Sequence, residues 1–313
     1  MGLRLVTGGA GFIGSHVAAR LLEEGHRVRV LDNLSTGRQD NLDLLARTYG
    51  ERFEPVLGDI RDADLCRRAC EGVEYVFHQA ALASVQRSIE RPGDSTAVNV
   101  LGTVNVFAAA REAGVRRVVA ASSSSVYGDT PTLPKHEEMT PAPRSPYAAS
   151  KLAGEHMARV FANTMGLETV SLRYFNVFGP RQDPHSAYAA VIPLFLRALM
   201  EGKRPVIFGD GTQSRDFTYI ENVVDANLRA ATGPDGCGEA VNVACGDRFT
   251  LLELLDQLGR LVGRKPDPDF QPPRVGDVLH SQASIDKARR LFGFQPRIGF
   301  EEGLRRTVEQ FRL

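Results

Sequence analysis

The sequence predicts an α/β protein, a doubly wound parallel sheet followed by a smaller α/β lobe at its carboxyl end. Three observations carry this. The chain opens on a strand, a glycine-rich turn, a helix and a second strand. Near-continuous apolar runs then alternate with helical periodicities as far as Tyr174, the pattern of buried parallel strands joined by helices. Beyond Asn176 the rhythm loosens into helices separated by very short strands. We place the sheet domain at residues 1–175, with 217–245 threading back into it, and the lobe at 176–216 and 246–313.

Leu3 to Val6 is the first strand. It runs into Thr7-Gly8-Gly9-Ala10-Gly11-Phe12-Ile13-Gly14, then a helix to Glu24, a Gly25 stop and a strand from Arg27 to Asp32. Asn33 to Gly50 is polar and loop-like before a helix. Arg52 to Ile60 and Val73 to Phe77 read as buried strands, the second ending in His78-Gln79-Ala80-Ala81. Ser95 to Ala113 is helical and Arg116 to Ala121 is a strand, followed by Ser122-Ser123-Ser124-Ser125-Val126-Tyr127-Gly128. Thr130 to Pro146 holds five prolines and reads as a loop, a flap over the site. Tyr147 opens a helix to about Met165, and Glu168 to Tyr174 is a strand. Later helices begin near Ala189, Val223, Thr250, Ile285 and Glu301, with short strands at Pro205 to Phe208 and Arg215 to Ile220.

The glycines point to a dinucleotide. Gly8, Gly9 and Gly11 lack the β-carbon that would hold a diphosphate away from the turn, and Gly14 lets the helix lie close on the strand. The free N–H groups of the helix's first turn, with its dipole, then face the anion. Asp32, 18 residues past Gly14, suits the adenosine ribose hydroxyls and repels a 2′-phosphate, which favours NAD over NADP. Asp59 would meet the adenine amino group or cap the next helix, and the small Ala80 and Ala81 would let the cofactor lie against backbone.

Composition excludes several classes. Basic and acidic residues balance at 38 each, so nothing suggests nucleic acid or anionic lipid as a partner. No apolar run of about 18 residues exists, and the N-terminus enters a strand directly; a soluble, cytoplasmic protein is expected. Cys66, Cys70, Cys237 and Cys245 contain no CxxC pair. Cys66 and Cys70 sit one helical turn apart, which suits a buried face, and neither a disulfide framework nor a metal site is expected.

Tyr147 and Lys151 stand four residues apart, on one helix face. A phenol titrates near 10, and bringing it to about 7 requires ~4 kcal/mol in favour of the phenolate. The Lys151 ammonium and a positive nicotinamide ring can supply that together, making Tyr147 a base and acid for a hydroxyl. The serine run supplies hydroxyls to hold the reacting oxygen.

With these residues the chain resembles the extended short-chain dehydrogenase/reductases that act on nucleotide sugars, whose fold is the Rossmann type. The shared motifs are the opening glycines, Ser-Ser-x-x-Val-Tyr-Gly, Ser-Pro-Tyr-x-x-x-Lys and Arg173-Tyr174-Phe175-Asn176. His78 to Ala81, Arg181 to Pro184, Tyr188 to Pro193, Ser214 to Phe217 and Gly276 to Val278 are similar to UDP-hexose 4-epimerases, nearest the branch that accepts UDP-N-acetylglucosamine. The resemblance runs from residue 3 to about residue 300. It implies Tyr147 as catalytic base, Lys151 as its electrostatic partner and Ser123 as the positioning hydroxyl, with Ser122 and Ser124 open alternatives.

The resemblance also implies cofactor contacts at Phe12, Ile13, Asn33, Thr36, Gly37, Ile60, Gln79, Asn99 and Tyr174. For the sugar nucleotide it implies Ala83, Ser84, Ser125, Asn176, Gln182, Ala190 and Val191. Arg215 and Arg274 would clamp the diphosphate as guanidinium forks, and Asp277 would hold a ribose hydroxyl or orient Arg274. Many glucose-type relatives carry Lys at Ala83 and Tyr at Ser281, so small residues here imply room beside C2 of the sugar. The Asp-Glu pair of a dehydratase is replaced by Ser124 and Ser125. The expected activity is reversible C4 inversion of a UDP-hexose with bound NAD, in a homodimer. Uronate epimerisation or decarboxylation is the alternative, and a noncatalytic NAD or nucleotide-sugar sensor the remaining one.

Overall fold

The computed structural model describes residues 2–183, 190–273 and 278–311. The first half alternates strictly: β1 (Leu3–Thr7), α1 (Phe12–Glu23), β2 (Arg27–Asp32), α2 (Gln39–Tyr49), β3 (Phe53–Leu57), α3 (Ala63–Cys70) and β4 (Val73–His78). Short α4 (Val85–Glu90) and α5 (Pro92–Thr96) lead through a π-helical turn into α6 (Thr103–Glu112). Next come β5 (Arg117–Ser123), α7 (Pro146–Thr164) and β6 (Glu168–Tyr174).

After these, β7 (Val177–Phe178), α8 (Val191–Met200), β8 (Val206–Phe208), β9 (Ser214–Arg215), β10 (Thr218–Tyr219) and α9 (Ile220–Thr232) lead to β11 (Glu239–Val243). The chain ends with β12 (Phe249–Thr250), α10 (Leu251–Val262), β13 (Asp269–Gln271), α11 (Asp286–Phe292) and α12 (Phe300–Phe311).

Seven strands form one parallel sheet in the order β11-β6-β5-β4-β1-β2-β3. The order reverses between β1 and β4, and a crevice opens at such a switch point, beyond the carboxyl ends of the strands. The other short strands pair two by two outside the sheet. One apolar cluster runs unbroken from Val6, Val17 and Val30 on β1, α1 and β2 to Phe195, Leu254 and Leu304 on α8, α10 and α12. Among the described residues no helix is long and apolar enough to cross a membrane.

Four sequence readings change. Gln39–Tyr49 is a helix inside the stretch that reads as loop-like. Its polar face is solvated, Leu42 and Leu45 are buried, and Asn41 donates to the Ala10 carbonyl at 2.8 Å. The third strand stops at Leu57, because Asp59 turns the chain by accepting from the Arg61 N–H at 2.8 Å.

The helix expected over Ser95 to Ala113 is interrupted at Ala97–Gly102. There Gly102 comes so close to Ile60 that a Cβ would lie 2.6 Å from Ile60 Cδ1. The strand expected over Arg215 to Ile220 is two strands. Between them the fully buried Asp216 turns inward and accepts from the N–H groups of Cys245, Gly246 and Ala283 at 3.0, 3.0 and 3.1 Å. Cys66 and Cys70 are buried on α3, where burial pushes both thiols up to about 12.

Candidate active site

The crevice at the switch point is a cavity of about 290 Å³ between the β1–α1 turn and the ends of β2, β3 and β4. Gly8, Gly11, Phe12, Ile13, Asp32, Asn33, Thr36, Asp59, Ile60, Gln79, Ala80 and Ala81 all line it. The turn fits a diphosphate. Gly8 has φ +70°, and a Cβ there would meet the Ala80 N atom at 2.6 Å; a Cβ on Gly14 would lie 2.1 Å from the Gly8 carbonyl oxygen. Gly11 caps α1 without a side-chain hydrogen bond, leaving the first-turn N–H groups to an anion.

Asp32 accepts from the Ala10 and Leu34 N–H groups at 2.9 and 2.8 Å. Burial pushes its carboxyl up and these bonds pull it back. It therefore braces the glycine turn as well as facing the cavity. Asp59 is held down to about 2, first by the hydrogen bond from the Arg61 side chain, and also accepts from Asn33 Nδ2 at 2.7 Å. The cap of α3 is Asp62, which accepts from Leu65 N. Gly37 packs behind the cavity, where a Cβ would meet Ala10 at 2.7 Å.

A second cavity, of about 440 Å³, shares Phe12, Ile13 and Ala83 with the first. Ser122 to Ser125, Tyr147, Tyr174, Asn176, Gln182, Ala190, Arg215 and Ser281 line it. Asn176, Gln182, Ala190 and Arg215 also face a third cavity of similar size, which Val191 joins. The three therefore form one cleft from the glycine turn to α8. Ser125 Oγ and Gln182 Oε1 are buried with no hydrogen-bond partner among the described residues. Buried polar atoms are normally paired, so these two mark a surface built for a polar ligand.

Tyr147 is half-buried near the start of α7, which Ser145 caps by accepting from Ala148 N at 3.1 Å. Burial pushes the phenol up, and a hydrogen bond from Ser123 acts against it. Lys151 lies one turn on and donates to the Ala121 carbonyl at 2.8 Å; burial pushes its ammonium down to about 8, against the charge of Glu155. Within the protein burial wins at Tyr147, so the phenolate needs more positive charge than Lys151 provides from this position. Tyr174 receives a hydrogen bond from Asn227 at 2.9 Å and donates to Gln79 at 3.2 Å.

Some anticipated residues lie elsewhere. Ser84 caps α4 by accepting from Arg87 N at 3.1 Å and does not line the cleft. Asn99 is buried behind the cofactor cavity. It accepts from Leu82 N at 2.8 Å and donates to Ser150 Oγ at 3.0 Å, linking the β4 loop to α7. The loop from Thr130 to Pro146 is pinned: Lys135 N donates to Gln282 O at 2.7 Å and Ala142 N to Val126 O at 2.9 Å. Arg274 and Asp277, with Tyr188 and Gly276 of the motifs, lie outside the described residues. Lys135 and Arg144 line the second cavity unanticipated, and Val206 and Phe208 the third. Only the apolar pattern before Gly209 hinted at the last two. Among the described residues no group of His, Cys, Asp and Glu is placed to hold a metal.

Residues 4–244 match the model of the NAD dependent epimerase/dehydratase family. The chain is 45% identical to the UDP-glucose 4-epimerase of Mycolicibacterium smegmatis over 310 residues, 98% of each chain. Its fold superposes with a TM-score of 0.94 on the UDP-N-acetylglucosamine 4-epimerase of Methanobrevibacter ruminantium in complex with UDP-N-acetylmuramic acid, at 39% identity, covering 99% of this chain and 98% of that one. With the Thermus thermophilus UDP-glucose 4-epimerase complexed with NAD the TM-score is 0.90, at 38% identity and 99% coverage of both chains.

Proposed function

The chain belongs to the NAD dependent epimerase/dehydratase family, and we propose that it is a UDP-hexose 4-epimerase that accepts N-acetylated sugars as well as UDP-glucose and UDP-galactose. The observation that carries this is the meeting of Tyr147, Ser123 and the two unpartnered polar atoms in one cavity that opens onto the glycine cradle. NAD would be held by the β1–α1 turn, Asp32 and the Gln79 to Ala81 segment; bound there, it supplies a hydride acceptor for C4 and a positive ring that favours the phenolate.

The chain's own groups do the rest. Ser123 holds the C4 oxygen by hydrogen bonding and Tyr147 takes its proton; with the C4 hydride accepted by the nicotinamide that the cradle would hold, a 4-keto sugar results. Arg215, with Arg274, keeps the diphosphate in place while the sugar turns its other face inward. Tyr147 then returns the proton to the C4 oxygen, while the hydride that the reduced nicotinamide would give back reaches the opposite face of C4. Loss of water is disfavoured, since Ser124 and Ser125 offer no carboxylate to the sugar. The exposed apolar residues Ile89 and Leu101, with Met157 and Val160 of α7, support a homodimer through these helices; sedimentation at the mass of one chain would exclude it.

Sugar breadth rests on Ala83 and on Ser281, which accepts from Asn176 Nδ2 at 3.2 Å. Purified protein incubated separately with UDP-glucose and UDP-N-acetylglucosamine should yield both C4 epimers. Ser281→Tyr should lower turnover of the N-acetylated pair about tenfold or more, with UDP-glucose little changed, as filling a pocket typically costs 1–3 kcal/mol. Refusal of both N-acetylated sugars by the unaltered protein would reject the wider substrate range, and no interconversion of either sugar would favour a sensor.

A further inference from the structure

Three consecutive residues at the end of β5 each hold one residue of α7. Ser123 bonds the Tyr147 phenol, the Ala121 carbonyl accepts from Lys151, and the Ser122 hydroxyl donates to Glu155 Oε1. Residues 147, 151 and 155 are spaced four apart and share one helix face. The first two belong to the reaction described above, and the third has no part in it.

Glu155 is buried and forms a forked ion pair with the buried Arg173 of β6, at 2.8 and 2.7 Å. Burial opposes the Arg173 charge, but the Glu155 carboxylate holds it firmly in place. Arg173 also donates to Tyr127 Oη at 2.8 Å, and Tyr127 donates to Asn242 Oδ1 at 2.7 Å. Asn242 in turn donates to the carbonyls of Lys135 and Ser284 at 3.1 and 3.2 Å, at the wall of the sugar cavity. A buried ion pair of this kind adds little stability over apolar side chains of equal volume, so stability alone does not account for it.

Its charge faces Lys151. That ammonium also acts on His78 of β4, while Tyr147 stands one turn before it on α7 and Arg173 and Tyr127 lie beyond Glu155 in the network. His78 is neutral, since burial pushes it down to about 3, and burial pushes Tyr127 up to about 12. Glu155 is the negative group acting on Lys151.

We propose that Glu155 is a positioning residue for the C4 reaction: anchored by Arg173 and Ser122, it keeps Lys151 charged and fixes the register of α7 on β5 that aims Tyr147 into the sugar cavity. This rests on the epimerase reading of the site. Removing the carboxylate charge lets the Lys151 ammonium lose its proton at lower pH, and Tyr147 loses its electrostatic support there. The alkaline limb of kcat therefore retreats toward neutrality, while KM for the UDP-sugar stays near its original value.

The test is kcat against pH for the unaltered enzyme, Glu155→Gln and Glu155→Asp, together with carbon NMR of protein labelled at lysine Cε, in which five lysines give few signals. Glu155→Gln should move the kcat limb and the Lys151 titration midpoint down by about one pH unit, a tenfold loss at the alkaline end. Glu155→Asp should move both the same way but less. An unmoved midpoint in both variants, or a uniform loss of kcat that follows melting temperature, overturns the proposal. If the unaltered protein turns over no UDP-hexose, the function fails but the Lys151 midpoint still decides this point. If Glu155→Gln does not fold, Glu155→Asp decides it.

Discussion

Tyr147→Phe should lower C4 interconversion of UDP-glucose by about a thousandfold, within the range that positioned acid–base groups contribute. The magnitude follows from the environment of the hydroxyl. Burial disfavours its ionised form and the Ser123 hydrogen bond only partly compensates, and among the described residues lining the cavity no carboxylate or imidazole stands ready to take the proton instead. The phenyl ring fills the same space, and Lys151 remains tied to Ala121. Binding of the dinucleotide and of the UDP-sugar should therefore change by no more than about threefold, less than the loss of a single good hydrogen bond. Initial rates and calorimetric titration on the same preparation separate the two effects. A Phe variant that keeps more than about a tenth of the rate would remove Tyr147 from the chemistry, since proton transfer would then lie elsewhere.

The second large effect is expected at Gly14→Ala. The new methyl group would stand 2.1 Å from the Gly8 carbonyl oxygen and 2.9 Å from Gly9 Cα, both backbone atoms that cannot rotate away. Either α1 lifts off the turn or the turn deforms. Overpacking of this kind costs about 3 kcal/mol or more, which is about a hundredfold in NAD affinity if the turn takes the strain. Fluorescence titration with the reduced dinucleotide and a melting curve would measure it. Gly93→Ala is the control, because a Cβ at Gly93 in α5 meets nothing within 4 Å. Near-normal affinity in Gly14→Ala would mean that the close approach of helix to turn is not what holds the diphosphate.

The parts of this site that could be read from sequence are local. Gly8, Gly11, Gly14 and Asp32 lie within one unit, and their spacing specifies the turn they build. Tyr147 and Lys151 are one helical turn apart, so their shared face follows from helix geometry alone. The parts that could not be read depend on partners far along the chain. Asn99 looks like a cleft residue until the π-helical turn at Ala97–Gly102 directs its amide to Leu82 and Ser150. Ser84 follows the His78 to Ala81 motif closely enough to be expected at the sugar, yet the start of α4 needs its hydroxyl more directly. Glu155 and Arg173 read separately as charges on a helix and a strand. Only the packing of α7 against β6 makes them a pair, and no periodicity announces that.

The Asp216 carboxylate has a consequence for how the molecule comes apart. It is tied at once to Cys245 and Gly246, just past the sheet's edge strand, and to Ala283, 67 residues along the chain from Asp216 itself. The apolar cluster crosses the same boundary without a break. The described residues on both sides of this tie should therefore melt in a single calorimetric transition, since a disturbance that frees the segment around Ala283 also weakens the edge of the sheet; two resolved transitions would contradict it.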